Sequence, residues 1–248
     1  MTQPRNLVRG AIAATITLFI SAAAQAITIT HSDRGSFQFT NLVNGIWKTP
    51  DGSYQARALN NGVPVEFNRN YTVFDFSLLS GTATGATLLL WLDTPAGPGL
   101  APGYQSSAPS ETLSLFSVAT DPTELLAGDA GTNPGSVFGD LGSGTPYGSQ
   151  SMTAADMGSY IAFDLTAALG DINTAITNGS SFAIGGAMST IDASYGTGGI
   201  TEGIFRGSAT GDPASQLILT GVVPVPAAVW LLGSGLLAFV GIGKRRSR

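Results

Sequence analysis

The single histidine is the first residue to consider for catalysis. His31 is followed directly by Ser32 and Asp33. A Ser-His-Asp triad needs three groups that converge in space, and no Gly-x-Ser-x-Gly elbow leads from a predicted strand into a helix. With one His and no Cys, the chain also lacks the usual ligands of zinc and a thiol nucleophile. We therefore expect His31 to be an ordinary residue of an edge strand and predict no catalytic residue.

Paired carboxylates are the next chemistry to test, because two of them can hydrolyse a glycosidic bond. Glu66, Asp75, Asp93 and Glu111 flank the strongest predicted strands. Each has a simpler role at a strand end, on an outward face or in a turn, and no local pattern selects two of them. A glycoside-active enzyme is therefore the less favoured alternative.

Two glycine-rich turns carry the candidate metal ligands. Asp129 lies in residues 128–133 and Asp140 in residues 139–144, each beside a Gly-rich turn that is expected to offer backbone carbonyl groups. Ca²⁺ prefers such oxygen ligands, which makes it the one cofactor the sequence suggests. Neither turn matches an EF-hand loop, and Asp next to Gly is also ordinary turn chemistry.

Aromatic residues in loops are candidates for stacking on sugars. Tyr104, Tyr147 and Tyr195 lie among Gly, Ser and Pro residues, and we name them as the candidate sugar-binding residues. The alternative is that they pack on the ends of the domain. Trp91 lies inside an apolar run, and we expect it in the core.

These residues must be positioned by a β-rich domain. Short β-branched and aromatic segments alternate with turn clusters, which predicts strands at residues 27–31, 36–40, 71–78, 86–92, 112–119, 160–165, 181–186 and 216–220. Residues 27–221 are therefore predicted to form one all-β domain, a β-sandwich of jelly-roll-like type.

One short helix interrupts the predicted strands. Leu165, Leu169, Ile172 and Ile176 recur with helical period. Asp164 or Thr166 is the expected cap, and the Asn178-Gly179 pair is expected to end the helix in a left-handed turn. We expect this helix to cross one sheet or close one end of the domain.

Residues 1–26 have the pattern of a secretory signal peptide. Arg5 and Arg9 precede an apolar run at residues 11–20, which is predicted to be helical. Ala24 and Ala26 supply the small residues that signal peptidase requires, so cleavage is expected after Ala26.

Residues 222–248 have three parts in a fixed order. Residues 227–243 are an uncharged apolar run that would span about 25 Å as a transmembrane helix. The basic residues Lys244, Arg245 and Arg246 follow and are expected to stay on the cytoplasmic side. The residues before and at the entry to the run are Val223, Pro224, Val225, Pro226, Ala227, Ala228, Val229 and Trp230.

This tail resembles the PEP-CTERM sorting signal of Gram-negative bacteria, in its Val-Pro-x-Pro-Ala-Ala-Val-Trp variant. The resemblance implies export, a transient C-terminal anchor in the inner membrane, and processing near Pro224 and Pro226 by an exosortase-type membrane protease. The mature protein would be at the cell surface or in an exopolysaccharide-rich biofilm matrix. Residues 70–77, 85–90 and 111–118 also resemble the strand order of extracellular jelly-roll modules, including carbohydrate-binding modules and DNRLRE-type domains.

The charge distribution agrees with this division of the chain. The whole chain has a formal charge of −5, but residues 27–221 hold all 16 acidic residues and only five basic ones, which leaves −11. An acidic domain cannot neutralise phosphates, which excludes nucleic-acid binding. We therefore expect an exported, non-enzymatic surface or extracellular-matrix protein, with exopolysaccharide as a candidate partner and a carbohydrate-binding module as the alternative.

Overall fold

A computed structural model describes residues 26–40, 45–48, 54–60, 65–94, 103–127, 134–190, 200–205 and 213–224. This part of the chain is β-rich with few helices. Its strands are β1 (Ile27–Thr30), β2 (Asp33–Thr40), β3 (Gly45–Lys48), β4 (Ala56–Asn60), β5 (Val65–Asp75), β6 (Leu79–Leu92), β7 (Tyr104–Gln105), β8 (Glu111–Ser117), β9 (Pro146–Met152), β10 (Ser159–Asp164), β11 (Ser181–Met188), β12 (Ile200–Ile204) and β13 (Gln216–Pro224).

The strands form two antiparallel sheets that share one apolar core. The smaller sheet has the order β1-β13-β6-β10, and the larger one contains the other nine strands. Alternate residues of β6, such as Leu88, Leu90 and Leu92, face the core, where they join Phe74 and Phe76 from the larger sheet. The period-2 alternation of these strands determines which side chains are buried.

The larger sheet forks at β5. Its first half pairs with β4 up to Asn68, and its second half pairs with β11 from Asn70 onward, while β2 covers the opposite side. Strands β4 and β11 therefore follow one another along the same side of β5. The next strands outward, β12 and β8, are brought close together in the same way.

Helices cover the outer face of the larger sheet, which sequence analysis did not predict. They are α1 (Pro122–Ala127) and α2 (Pro134–Asp140). Leu125, Val137 and Leu141 pack in a second buried cluster with Phe37 and Tyr71. Tyr71 Oη donates to Asp33 Oδ2 at 2.9 Å, and burial raises the pKa of this phenol well above its ordinary value.

The predicted helix is confirmed as α3 (Leu169–Asn178), preceded by a 3-10 turn at Thr166–Ala168. Leu165, Ile172 and Ile176 are buried, as the helical period predicts. The helix ends at Gly179, whose φ of 58° is the expected left-handed turn. The predicted cap was wrong: the N-cap residue of α3 is Ala168, which makes no side-chain cap hydrogen bond. Asp164 Oδ1 instead accepts hydrogen bonds from Thr166 N and Thr166 Oγ1, which lower the Asp164 pKa.

Helix α3 is fastened to the small sheet by one amide side chain. Asn173 Oδ1 accepts from Ala83 N at 2.7 Å, and Asn173 Nδ2 donates to Ala83 O at 3.1 Å. Strand β10 pairs with β6 only from Thr87 to Leu92, so Ala83 has no strand neighbour on that side. Asn173 therefore replaces a missing strand by satisfying both backbone groups of Ala83.

All eight predicted strands coincide with observed ones, although several are longer than predicted. The placement of Trp91 was wrong: its ring is half-buried on the outer side of β6, where it packs edge-to-face with Tyr160 at 5.2 Å between centroids. The run 88–92 therefore buries one face fully and leaves the other at intermediate exposure.

The two predicted processing regions border the sheets directly. Ala26 is the first described residue, and β1 begins at Ile27. Strand β13 continues past a bulge at Gly221 to Pro224, which pairs with Leu79. Val222, Val223 and Pro224 therefore belong to a strand, three residues beyond the expected domain boundary. Residues 1–25 and 225–248, with both predicted terminal helices, lie outside the described residues.

Candidate functional site

A polar groove runs beside α3, along the ends of β8, β9 and β11. Its volume is about 550 Å³, within the usual range for small-molecule sites. Hydroxyl, amide and carboxylate groups dominate its lining. Its polar lining residues include Ser117, Thr120, Asp121, Tyr147, Asp171 and Asn178, and we call the cleft that they line the polar groove.

Helix α3 supplies one wall of the polar groove with a regular stripe. Asp171, Thr174 and Asn178 recur at three- and four-residue spacing, and all three are exposed. Ile172 and Ile176, on the other side of the helix, are buried. The same amphipathic period that fixes the helix on the core therefore presents its polar side chains to the groove.

A tyrosine-carboxylate pair lines the groove. Tyr147 Oη donates to Asp171 Oδ2 at 2.6 Å. Burial, followed by this hydrogen bond to Asp171, raises the Tyr147 pKa well above its ordinary value. The phenol therefore remains a hydrogen-bond donor at physiological pH, and it holds the Asp171 carboxylate in one orientation.

The second carboxylate of the groove is held by a turn. Asp121 Oδ1 accepts from Thr123 Oγ1 at 2.7 Å and from Thr123 N at 2.8 Å, and these bonds lower the Asp121 pKa. Asp121 is therefore ionised at neutral pH. The groove presents oriented oxygen acceptors, which match the hydroxyl groups of a polyol.

Two of the three predicted sugar-binding tyrosines are not exposed, which is a correction. Tyr147 is 3% exposed in β9, and Tyr104 is 6% exposed in β7, where its Oη donates to Ala108 O at 3.0 Å. Their rings lie in the core and present no face for stacking on a sugar. The Gly and Ser residues around them form strands and tight turns rather than open loops. Tyr195 lies outside the described residues.

The predicted calcium ligand Asp140 has a structural role. It ends α2, and its Oδ2 accepts from both Thr120 N and Thr120 Oγ1 at 2.7 Å. The neighbouring carbonyl of Gly139 accepts from Arg69 Nη1 at 3.0 Å and from Ser143 Oγ at 2.9 Å. The Gly139 carbonyl and the Asp140 carboxylate are therefore both engaged in hydrogen bonds within the protein. Asp129 lies outside the described residues.

The remaining acidic candidates separate into surface and buried groups. Glu66 forms an ion pair with Arg57 at 3.1 Å, Asp75 is exposed and accepts from Ser77 N, and Asp93 accepts from Thr94 N. Glu111, in contrast, is completely buried. Among the described residues, no group of three or more His, Cys, Asp or Glu side chains is placed to hold a metal ion.

His31 contacts backbone rather than a serine hydroxyl. Its Nδ1 lies 3.3 Å from Ser215 O, next to the pairing of β1 with β13. Partial burial, followed by the nearby charge of Arg34, lowers the His31 pKa. His31 lies between β1 and β2, one residue beyond the end of β1, so the predicted position within the edge strand was wrong by one residue.

A second, more apolar cavity of about 520 Å³ lies at the fork of the larger sheet. Phe39, Phe67 and Phe138 line it, with the Arg69 guanidinium 4.5 Å from the centroid of the Phe138 ring. Arg69 Nη1 also donates to Phe138 O at 2.7 Å. These contacts attach α2 to β5.

No helix in the described part of the chain is long and apolar enough to cross a membrane, and residues 227–243 are outside that part. No protein-family model matches the chain, and no curated protein is significantly similar to it.

Proposed function

We propose that this chain is an exported, non-enzymatic protein of the cell surface or extracellular matrix, processed at both ends. Signal peptidase removes residues 1–26, and an exosortase-type membrane protease cuts near Pro224 and Pro226. The observation that carries the proposal is the sequence of features in residues 222–248. Two prolines are followed by Ala-Ala-Val-Trp, then by an apolar run, and finally by a cluster of basic residues. The mature protein then resides at the surface of a Gram-negative cell or in its exopolysaccharide matrix.

The positions of the end strands support this proposal. Strand β1 begins one residue after the predicted signal cleavage, and it pairs with β13, which ends at Pro224. Cleavage after Ala26 and beyond Pro224 therefore cuts none of the described strands. The domain between the cuts is proposed to be a jelly-roll-like β-sandwich, which two antiparallel sheets around one core support.

The absence of catalysis is part of the proposal and rests on the sequence, which has a single His, no Cys and no nucleophile elbow. The His31 ring contacts a backbone carbonyl, and Glu66 is engaged in an ion pair with Arg57. Hydrolysis of a glycoside needs two carboxyl groups on either side of an accessible bond. Glu111, which is completely buried, cannot approach such a substrate.

Expression in host strains with and without an exosortase tests the sorting proposal. We expect the chain to lose its tail only in the strain with the protease. Changing Pro224→Ala together with Pro226→Ala is expected to retain the tail, whereas Pro109→Ala, in an exposed turn, serves as a matched control that leaves processing intact. An intact, membrane-embedded C-terminus in both strains would contradict the proposal.

A second candidate function, carbohydrate binding, is favoured by the polar groove. Its fixed acceptors Asp121 and Asp171 and the exposed amide of Asn178 suit the hydroxyl groups of a saccharide. Because the rings of Tyr104 and Tyr147 are buried, recognition would depend on hydrogen bonds rather than on stacking.

Titration with host exopolysaccharide fragments tests this second candidate. Asp171→Asn and Asn178→Ala are each expected to weaken binding by about tenfold, the effect of one lost hydrogen bond to a charged or buried partner. Glu124→Gln removes a charge from an exposed part of α1 outside the groove and is the matched control. Binding that these groove variants leave unchanged would exclude the groove as the site.

A further inference from the structure

Two carboxylates meet inside the larger sheet, where the fork brings β8 and β12 together. Glu111 begins β8 and is 0% exposed, and Glu202 in β12 is 3% exposed. Ser106 Oγ, in the turn between β7 and β8, lies within hydrogen-bond distance of Oε1 of both side chains. Residues 91 positions apart in the chain therefore share one hydroxyl group.

The hydrogen bonds around this pair are unevenly distributed. Glu111 has donors on both oxygens, because Ser106 Oγ reaches Oε1 and Thr190 Oγ1 donates to Oε2. Ser106 has only one hydroxyl proton, and its distance to Glu202 Oε1 is the longer one, 3.4 Å. Glu202 Oε2 is buried and has no hydrogen-bond partner among the residues that the structure describes.

No basic side chain compensates the pair within the described residues. The Arg57 guanidinium, in register with Gly203 on the neighbouring strand, forms its ion pair with Glu66 instead, at 3.1 Å. The phenol of Tyr104 is affected by the uncompensated charge: burial, then Glu111 and Glu202, raise its pKa. Burying a carboxylate without a counter-charge is strongly unfavourable, and burying two side by side is more so.

We propose that Glu111 and Glu202 bind a Ca²⁺ ion, with Glu202 Oε2 as a direct ligand. A cation supplies the positive charge and the electron acceptor that this oxygen lacks. The surrounding groups are all oxygen donors from a turn and from separate strands, an irregular set that suits the flexible coordination of Ca²⁺ better than the octahedron of Mg²⁺. Hydroxyl groups, backbone carbonyls and water would complete the shell, because the pair supplies only two carboxylates.

Such an ion would connect parts of the sheet that are distant in sequence. It would join the turn after β7, the start of β8 and the middle of β12, which pairs with both β4 and β7. The site is distinct from Asp129 and Asp140, the ligands suggested by the sequence, and it does not depend on export or on the polar groove.

Thermal unfolding of the full-length chain in mild detergent, in EDTA and in CaCl₂, tests the site. Ca²⁺ at about 100 times its Kd is expected to raise the Tm by roughly 5–10 °C. Glu202→Gln is expected to abolish that rise in Tm. In EDTA this variant is expected to have a higher Tm than the unchanged chain, because it removes one of two repelling charges without changing the shape of the side chain. Glu66→Gln, on the ion-paired surface carboxylate, is the matched control and is expected to keep the full Ca²⁺ response.

Three results would overturn the proposal. The first is a Tm of the unchanged chain that is the same in EDTA and in millimolar CaCl₂. The second is a rise in Tm with Ca²⁺ that persists in Glu202→Gln. The third is a rise in Tm with Mg²⁺ that equals the rise with Ca²⁺. Calorimetric titration with CaCl₂ gives a second readout that does not depend on unfolding. One binding site per chain in the unchanged protein, and none in Glu202→Gln at matched folding by circular dichroism, supports the assignment.

Discussion

Replacing Asn173 by Ala tests how the groove-forming helix is fixed to the small sheet. The side-chain amide forms two hydrogen bonds with the backbone of Ala83, at 2.7 and 3.1 Å. Ala83 is 3% exposed, and β10 does not extend far enough to pair with it. Truncation therefore removes both bonds and leaves a buried N–H and a buried C=O without partners.

The size of the effect follows from these two bonds. A typical hydrogen bond makes a net contribution of about 0.5–1.5 kcal/mol to stability, and a buried polar group left without a partner costs about 1–3 kcal/mol. Ala favours helix by about 0.6 kcal/mol relative to Asn, which offsets part of the loss. We expect the free energy of unfolding to fall by about 2–3 kcal/mol, a large part of the usual stability of one domain.

Urea unfolding followed by circular dichroism measures this change. The midpoint for Asn173→Ala is expected to fall by about 1 M with an unchanged slope, because the surface exposed on unfolding is the same. Thr174→Ala is the matched control: it is the next residue of α3, it is exposed, and its hydroxyl bonds only to Gly170 O within the helix. That control is expected to stay within about 0.5 kcal/mol of the unchanged chain. An Asn173→Ala midpoint equal to that of the control would refute the fastening of α3 by this amide.

Three further predictions concern other parts of the domain. Gly221→Ala is expected to destabilise the fold by about 1–3 kcal/mol in the same urea assay, because Gly221 has a φ of +85° and an added Cβ would lie 2.7 Å from Thr82 O; an unchanged midpoint would contradict this. Tyr147→Phe is expected to lower the free energy of unfolding by about 1 kcal/mol, because it removes the hydrogen bond to Asp171. The same variant is expected to weaken any saccharide binding in the groove, and tighter saccharide binding would count against the groove as the site. The NMR titration of His31, the single histidine, is expected to have a midpoint below pH 6.5, because burial and the charge of Arg34 disfavour the protonated ring. The contribution of the neutral His31 ring to folding stability is therefore complete above about pH 6.5 and is lost as the pH falls towards the lower pKa of the folded state. A titration midpoint at or above 6.5 would contradict this.

The strands with clear alternation could be predicted from sequence, and the less regular ones could not. Phe74 and Phe76 alternate with Val73 and Asp75, so the faces of β5 were evident before the structure. Strands such as β9 are rich in Gly, Ser and Gln, and they form because neighbouring strands supply pairing partners. Their stability comes from tertiary context, which a local pattern does not contain.

The polar groove and the buried carboxylate pair were missed for a related reason. Glu111 was recognised as a candidate, but its partner Glu202 lies far along the chain, and only the fork at β5 brings the two together. Likewise, Tyr104 and Tyr147 were assigned to loops on composition, yet pairing of β7 and β9 buries both rings. Spatial convergence across strands leaves no signal in sequence spacing.

The intact mass of the mature protein, purified from its host, tests the central proposal most directly because it reports both ends at once. The proposal predicts an N-terminus at Ile27 and a C-terminus near Pro224 or Pro226, with the apolar run and the basic tail absent. The same mass from a strain without the exosortase should include residues up to Arg248. A mature protein that retains Arg248 in the presence of the protease would contradict the proposal.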